Sequence, residues 1–188
     1  GRFRDPLLVA LARPAGAPLG DALRERLLGQ CFAGNPERLI APFPAYARLH
    51  ATALAAGADA PHWLDDAFVD DALVWHLLAW TGETERRRNP LLAKLMSQGE
   101  GYDAGDRRQL LDSIGELITG LIPRWRALSA RGQVEISSTP NTHPLSPLLL
   151  DFKVARESLP EAPLPFSAAY PGGRSRVIAH IDAARISH

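Results

Sequence analysis

The stretch Asp106-Arg107-Arg108-Gln109-Leu110-Leu111-Asp112-Ser113-Ile114-Gly115-Glu116-Leu117-Ile118-Thr119-Gly120-Leu121-Ile122-Pro123-Arg124-Trp125-Arg126-Ala127-Leu128-Ser129-Ala130 decides the fold class. Its apolar residues recur every three and four positions from Leu110 to Leu128, the period of an amphipathic helix rather than a strand. Burying nine such side chains at roughly 1.5–3 kcal/mol each would make this the organising helix of the chain. Pro123 removes one backbone donor two-thirds of the way along, where a kink is expected. Gly132, free to take positive φ, supplies the stop.

Upstream, the same period recurs in shorter pieces. A brief helix is expected over Asp5 to Leu11, and a second with Asp21 at its N-cap and Leu23, Leu27, Leu28 and Phe32 on one face, ended by Gly34. Asn35-Pro36 and Asn89-Pro90 each pair a capping side chain with a proline at the first helical position, where its missing N–H costs nothing. Pro42 and Pro44 are expected to break the helix that resumes through Tyr46 and Leu54. From Asp65, Phe68, Ala72, Trp75 and Ala79, with Val69, Leu73 and Leu77 beside them, form an apolar face broad enough for burial on more than one side. The run Glu83 to Arg88 reads as a solvated turn.

Beyond Gly132 the period changes to two. Val134, Ile136 and Ser138 alternate with Glu135, Ser137 and Thr139, which predicts one short strand near 134–138, terminated by Pro140. A lone strand cannot satisfy its own backbone groups, so it requires a partner segment not recognisable in this chain. A loop through His143, a helix near Leu148 to Arg156, a proline-rich connection and a last helix from Ser175 complete the reading. The chain is therefore mainly α with one strand. It reads as a single partial domain over residues 1–188, a helical region over 1–130 followed by strand, loop and terminal helix over 131–188. The start lacks a methionine and the last helical pattern lacks a cap, so a truncated chain is expected.

Composition narrows the function classes. Lys plus Arg and Asp plus Glu both number 21, so no net field draws the chain to nucleic acid or an anionic membrane. No apolar run approaches a membrane span, and no leader pattern opens the sequence, which points to a cytoplasmic protein. Cys31 is the one cysteine, flanked by apolar residues, and reads as a small core hydrophobe. His76 lies at helical spacing within an apolar face and reads as a packed histidine. Trp63, Trp75, Trp80 and Trp125 are of the type that stacks on sugars, but three of the four lie on helices rich in apolar partners, and core is the preferred reading for them. The pairs Asp65-Asp66 and Asp70-Asp71 read as charge complementing a helix N-terminus. No histidine or cysteine cluster completes a metal site, and Gly172-Gly173-Arg174-Ser175 lacks the spacing and lysine of a phosphate loop. Neither a metal nor a cofactor is expected.

The most informative segment for function is Gly132-Gln133-Val134-Glu135-Ile136-Ser137-Ser138-Thr139-Pro140-Asn141-Thr142-His143-Pro144-Leu145-Ser146-Pro147-Leu148-Leu149. A strand carboxylate followed by a proline-stiffened loop with a histidine is one way to build a polar cleft on a rigid edge. From pattern alone, Glu135 reads first as an outward strand carboxylate with no ligand, an order that only the matching motif reverses, and His143 reads equally as a cap on the Pro144 turn. The segment resembles glycoside hydrolase family 57, whose members carry a Gly-Gln-hydrophobic-Glu strand and, in one branch, a Thr-Pro-x-x-His-Pro loop. Further segments agree in the same order: Pro36 to Tyr46, Val74 to Gly82, Ile122 to Arg126 and Tyr170 to Gly173.

The resemblance implies a distorted α/β barrel acting on α-linked glucans or related oligosaccharides by a retaining mechanism, with two carboxylates about 5–5.5 Å apart. The family's nucleophile and acid/base lie on segments after this one, and its early His-Gln-Pro motif is not found here. The resemblance therefore carries over Glu135 and His143 as substrate-binding residues and assigns no catalytic residue. It implies an α-glucan as ligand and the rest of a parent enzyme as partner, and leaves homo-oligomerisation open. The competing reading is a stand-alone helical interaction or structural module in which Glu135 has no ligand.

Overall fold

The computed structural model describes residues 3–187, mainly helical and without a strand among them. Two compact units divide between Pro123 and Arg124.

The first unit is built on α5 (Asp66–Trp80), whose Val69, Ala72, Leu73, Val74 and Leu78 are fully buried. Apolar residues nearly all round the helix leave it no solvated face, so neighbours must cover it on several sides. These are α1 (Pro6–Leu11), α2 (Asp21–Cys31), α3 (Pro44–Ala56) and α7 (Pro90–Gln98). The short α4 (Ala60–Trp63) leads into α5 and packs on α2 and α3.

The helix starts follow local chemistry. Asp5 accepts from the amides of Leu7 and Leu8, Asp65 from Phe68, Asn89 from Leu91, and Asn35 from Arg38 at the head of a π-helical turn, Pro36–Ile40. Asp21 does not cap: Gly20 holds that position and Asp21 opens the helix as a first-turn acid, where the dipole favours it. Pro44 does not break a helix; it begins α3, and the interruption falls on Ala41 to Phe43. The charged run expected as a turn forms α6 (Glu83–Arg88). Acids lie in its first turn and arginines in its last, Arg87 reaches Glu83 at 2.5 Å, and Arg86 donates to the carbonyl of Ala79 at 3.0 Å, closing the end of α5.

The long helix α8 (Ala104–Ala130) continues through Pro123, but it does not bury nine apolar side chains. Asp106, Arg107, Leu110, Leu111 and Ser113 are buried, while Ile118, Leu121, Ile122 and Trp125 are each at least half exposed. Periodicity states which face needs covering; it does not state that the cover lies within these residues.

In the second unit Gly132 takes φ +67°, and its amide returns to the carbonyl of Ser129 at 2.9 Å, the stop expected of it. The strand expected over 134–138 does not form: these residues have no ladder partner, and no second extended segment among the described residues offers one. The helix expected over 148–156 is divided into α9 (Ser146–Leu150), a 3-10 turn capped by Asp151, and α10 (Ala155–Ser158). The last helix, α11 (Gly173–Ser187), begins two residues before Ser175 and packs on α9. A Cβ built on Gly173 would stand 1.8 Å from the carbonyl oxygen of Leu149, so only glycine lets the two backbones meet. No helix among the described residues is long and apolar enough to cross a membrane.

Candidate functional site

Asp66, Asp70, Asp71 and Asp106, buried or half-buried acids of the first unit, are each engaged by other parts of the chain. Asp66, expected to serve the helix dipole, is bound by the Arg24 guanidinium, by Arg13 at 3.2 Å and by the Leu19 amide at 2.8 Å. Burial pushes its carboxyl up, but the Leu19 amide and the two arginines outweigh this and hold it below the usual range. Asp70 is buried between Arg13, at 2.6 Å, and Arg107. Asp71 accepts from the amides of Gly101 and Tyr102, both at 3.0 Å, and so ties the loop before α8 to the middle of α5. Asp106 is shared by Lys94 at 3.1 Å and Gln98 at 3.0 Å.

Only Asp65 of the two acid pairs is a simple cap. The other three are structural anchors whose partners lie tens of residues away. The arginines that hold them, Arg13, Arg24 and Arg107, had no signal in the sequence beyond the one-turn spacing of Asp66 and Asp70. Buried ion pairs of this kind fix an arrangement more than they add stability.

Cys31 is a core residue. Its thiol is buried and pushed up to about 12 by burial, far from a nucleophile's range. Its carbonyl accepts from the hydroxyl of Tyr46 and faces Nδ1 of His76 at 3.2 Å. His76 is thus a packed imidazole with one satisfied nitrogen, and burial lowers its pKa. No group of three or more metal-binding side chains occurs among the described residues.

The residues carried over as cleft candidates lie in the second unit. Glu135 is exposed on the extended segment after α8, and no hydrogen bond or ion pair engages its carboxylate among the described residues. His143 is exposed in the next loop, takes φ +64°, and donates its amide to the carbonyl of Pro140 at 2.7 Å. No hydrogen bond joins the two side chains. The loop itself is held: the Asn141 amide donates to the carbonyl of His180 on α11 at 3.2 Å, and Nδ1 of His180 meets the carbonyl of Asn141. His180 is a positioning residue that sequence reading missed, because it lies 39 positions from the loop it holds. Both candidates therefore offer hydrogen-bonding groups to solvent, which suits sugar hydroxyls and leaves no proton-transfer pair.

The tryptophans divide differently from expectation. Trp75 is core, stacked with Tyr46 and donating its indole N–H to the carbonyl of Gly99 at 2.6 Å. Trp63, Trp80 and Trp125 are 79%, 61% and 51% exposed, which corrects their reading as core. Helical spacing of apolar neighbours located the helices but not the side of each helix an indole occupies.

The comparisons bear on this arrangement. The family model described as glycosyl hydrolase family 57 matches residues 55–185, from the end of α3 to the last turn of α11, and takes in Trp63, Glu135 and His143. No curated protein and no solved structure gives a significant match. With most of its length matched, this mainly helical chain belongs to glycosyl hydrolase family 57.

Proposed function

We propose that this chain forms part of a cytoplasmic, retaining hydrolase or glucanotransferase for α-linked glucans, in which Glu135 and His143 hydrogen-bond sugar hydroxyls. On this reading residues 1–188 supply a helical wall and one edge of a barrel cleft, and the nucleophile and acid/base come from elsewhere in the enzyme. Alone, the chain binds glucan weakly and does not turn it over.

The observation that carries the reading is the family match across 55–185. Two features support it. Each buried carboxylate is already held by cations or amides, whereas Glu135 and His143 are exposed and unengaged. The bare apolar stripe of α8 and the unpaired backbone of 134–138 both call for further protein, as a helix and a strand edge of a larger barrel would. The stripe equally suits a partner protein in the competing reading, which is why the test is made with sugar.

The 188-residue chain is titrated with maltoheptaose while the backbone resonances of Glu135 and His143 are followed, and reducing ends are assayed in parallel. Shifts at both residues without release of reducing ends are expected. Silence at both positions would remove the cleft assignment, and authentic turnover would mean that a reactive carboxylate pair lies within this chain.

A further inference from the structure

In the first unit, α4 and the head of α5 border a hollow of about 300 Å³ lined by Asp21, Arg24, His62, Trp63 and Asp65 among others. Trp63 lines it and is 79% exposed, and no hydrogen bond engages its indole N–H among the described residues. A large exposed ring beside a hollow with polar groups is a common form of ligand platform, because it joins an apolar contact face to hydrogen-bonding partners.

The platform is rigid. Leu64, next to Trp63, donates its amide to the carbonyl of Ala60 at 3.0 Å and accepts at its own carbonyl from Arg24 at 2.6 Å. Arg24 is in turn held by Asp66. Ala60 at the base of α4 is buried in the core. The indole is therefore carried on a braced turn, so little ordering entropy opposes binding.

The polar rim states what the ligand is. Asp65 uses one carboxylate oxygen to cap α5, through Phe68 at 2.8 Å, and no bond engages the other. Asp21 opens α2 with no bond to its carboxylate among the described residues, and His62 is exposed beside Trp63. Two carboxylates repel phosphate and other anions, while the Arg24 cation is already engaged by Leu64 and Asp66. What remains is an exposed indole beside two acceptor groups, which suits a neutral ring with one C–H face and several hydroxyl donors: a pyranose.

We propose that Trp63 is the stacking platform of a second carbohydrate subsite, with Asp21 and Asp65 accepting from sugar hydroxyls, which takes one or two glucose units of an α-glucan chain. This rests on the glucan reading above for the identity of the sugar, but not on Glu135 or His143. The subsite would hold a long substrate to the enzyme without taking part in the chemistry. One indole with a few polar partners sets the affinity weak, with a Kd on the order of 1 mM.

The test uses tryptophan fluorescence of the full 188-residue chain titrated with maltoheptaose. A saturable change is expected in the wild type, in Trp80→Ala and in Trp125→Ala, and its loss in Trp63→Ala, whose exposed side chain can be removed without unfolding, as circular dichroism would verify. Asp65→Asn keeps the helix cap and should weaken the response several-fold. Glu135→Gln with His143→Ala should leave the Trp63 response unchanged, which separates this site from the cleft: loss of one signal with retention of the other sinks only the corresponding assignment. A response that survives in Trp63→Ala, or its absence at sugar concentrations ten times the expected Kd, overturns the proposal. So does a Trp63-dependent response to tetramethylammonium that maltoheptaose does not produce, which would mark an acid-flanked cation site instead.

Discussion

Gly173→Ala is the substitution whose consequence the geometry sets most directly. On an open helix this change is stabilising, by up to about 1 kcal/mol, since alanine loses less chain entropy. At Gly173 the added methyl would lie 1.8 Å from the oxygen and 2.8 Å from the carbon of the Leu149 carbonyl. Ordinary contact begins near 3.4 Å, so α9 and α11 would have to part by more than an ångström. No rotamer relieves a clash with backbone, and overpacking of this kind costs about 1–3 kcal/mol or more. The separation also strains the amide of Tyr170, which donates to the same carbonyl at 3.3 Å. A net loss of about 2 kcal/mol is expected, confined to the second unit.

Because the chain has two units, a single melting curve would blur the effect. Hydrogen exchange of the amides from 176 to 186 reports the second unit alone, and protection there should fall roughly thirty-fold, the factor that corresponds to about 2 kcal/mol. Gly120→Ala serves as the control, because nothing lies within 4 Å of its would-be Cβ on the open face of α8. It should hold or raise stability by about 0.5–1 kcal/mol. If Gly173→Ala exchanges as slowly as Gly120→Ala, the close approach of α9 to α11 is wrong.

Asp71→Ala should cost about 2–4 kcal/mol in the first unit, because it leaves the amides of Gly101 and Tyr102 unpaired; urea titration followed by circular dichroism would check it, and a loss under 1 kcal/mol would count against the anchor role. For His76, burial holds the folded pKa below the ordinary 6.5, so the unfolded chain takes up the proton first as pH falls. Its contribution is full above about 6.5 and declines as pH drops through the folded pKa, and His76→Gln should remove that slope from a series of urea midpoints; an identical slope in the variant would discard the assignment. Asp66 has a folded pKa below 3.8, so its contribution is present above that pH and lost on further acidification. The stability gap between wild type and Asp66→Asn should therefore close in strong acid, and a gap unchanged from neutral pH down would contradict the arginine pairing.

Local chemistry was legible in the sequence. An Asx before proline marked the starts at Asn35 and Asn89, the broad apolar face of Phe68, Val69, Ala72, Leu73, Trp75, Leu77 and Ala79 marked a helix covered on several sides, and Gly132 marked a stop. Cys31 and His76 were legible as core because each sits in a run of apolar residues at helical spacing, which marks the buried side of its helix. What escaped was set by residues far apart in the chain. Arg13 meets Asp70 across 57 positions, and no spacing rule joins a lone arginine to one aspartate among many. The stripe from Ile118 to Trp125 showed a face that wants covering but carried no information on where the cover lies. The alternating residues 134–138 had the composition of a strand, yet a strand is a property of two segments, and only one is present among the described residues. Family kinship was legible in the Gly132 to Leu149 segment, which falls within the matched residues 55–185.

The burial of Cys31 has a practical consequence. It is the single thiol in the chain, it is 1% exposed, and burial holds it protonated. A disulfide reagent can therefore modify the protein once only, and only in molecules whose first unit has opened. The rate of labelling under native conditions becomes a clock for that opening, read without denaturant and without an engineered probe. Any ligand that binds only the closed first unit will lower the labelling rate in proportion to the fraction left unoccupied, so a sugar seated beside Trp63 could be weighed by the time a buried sulfur takes to react.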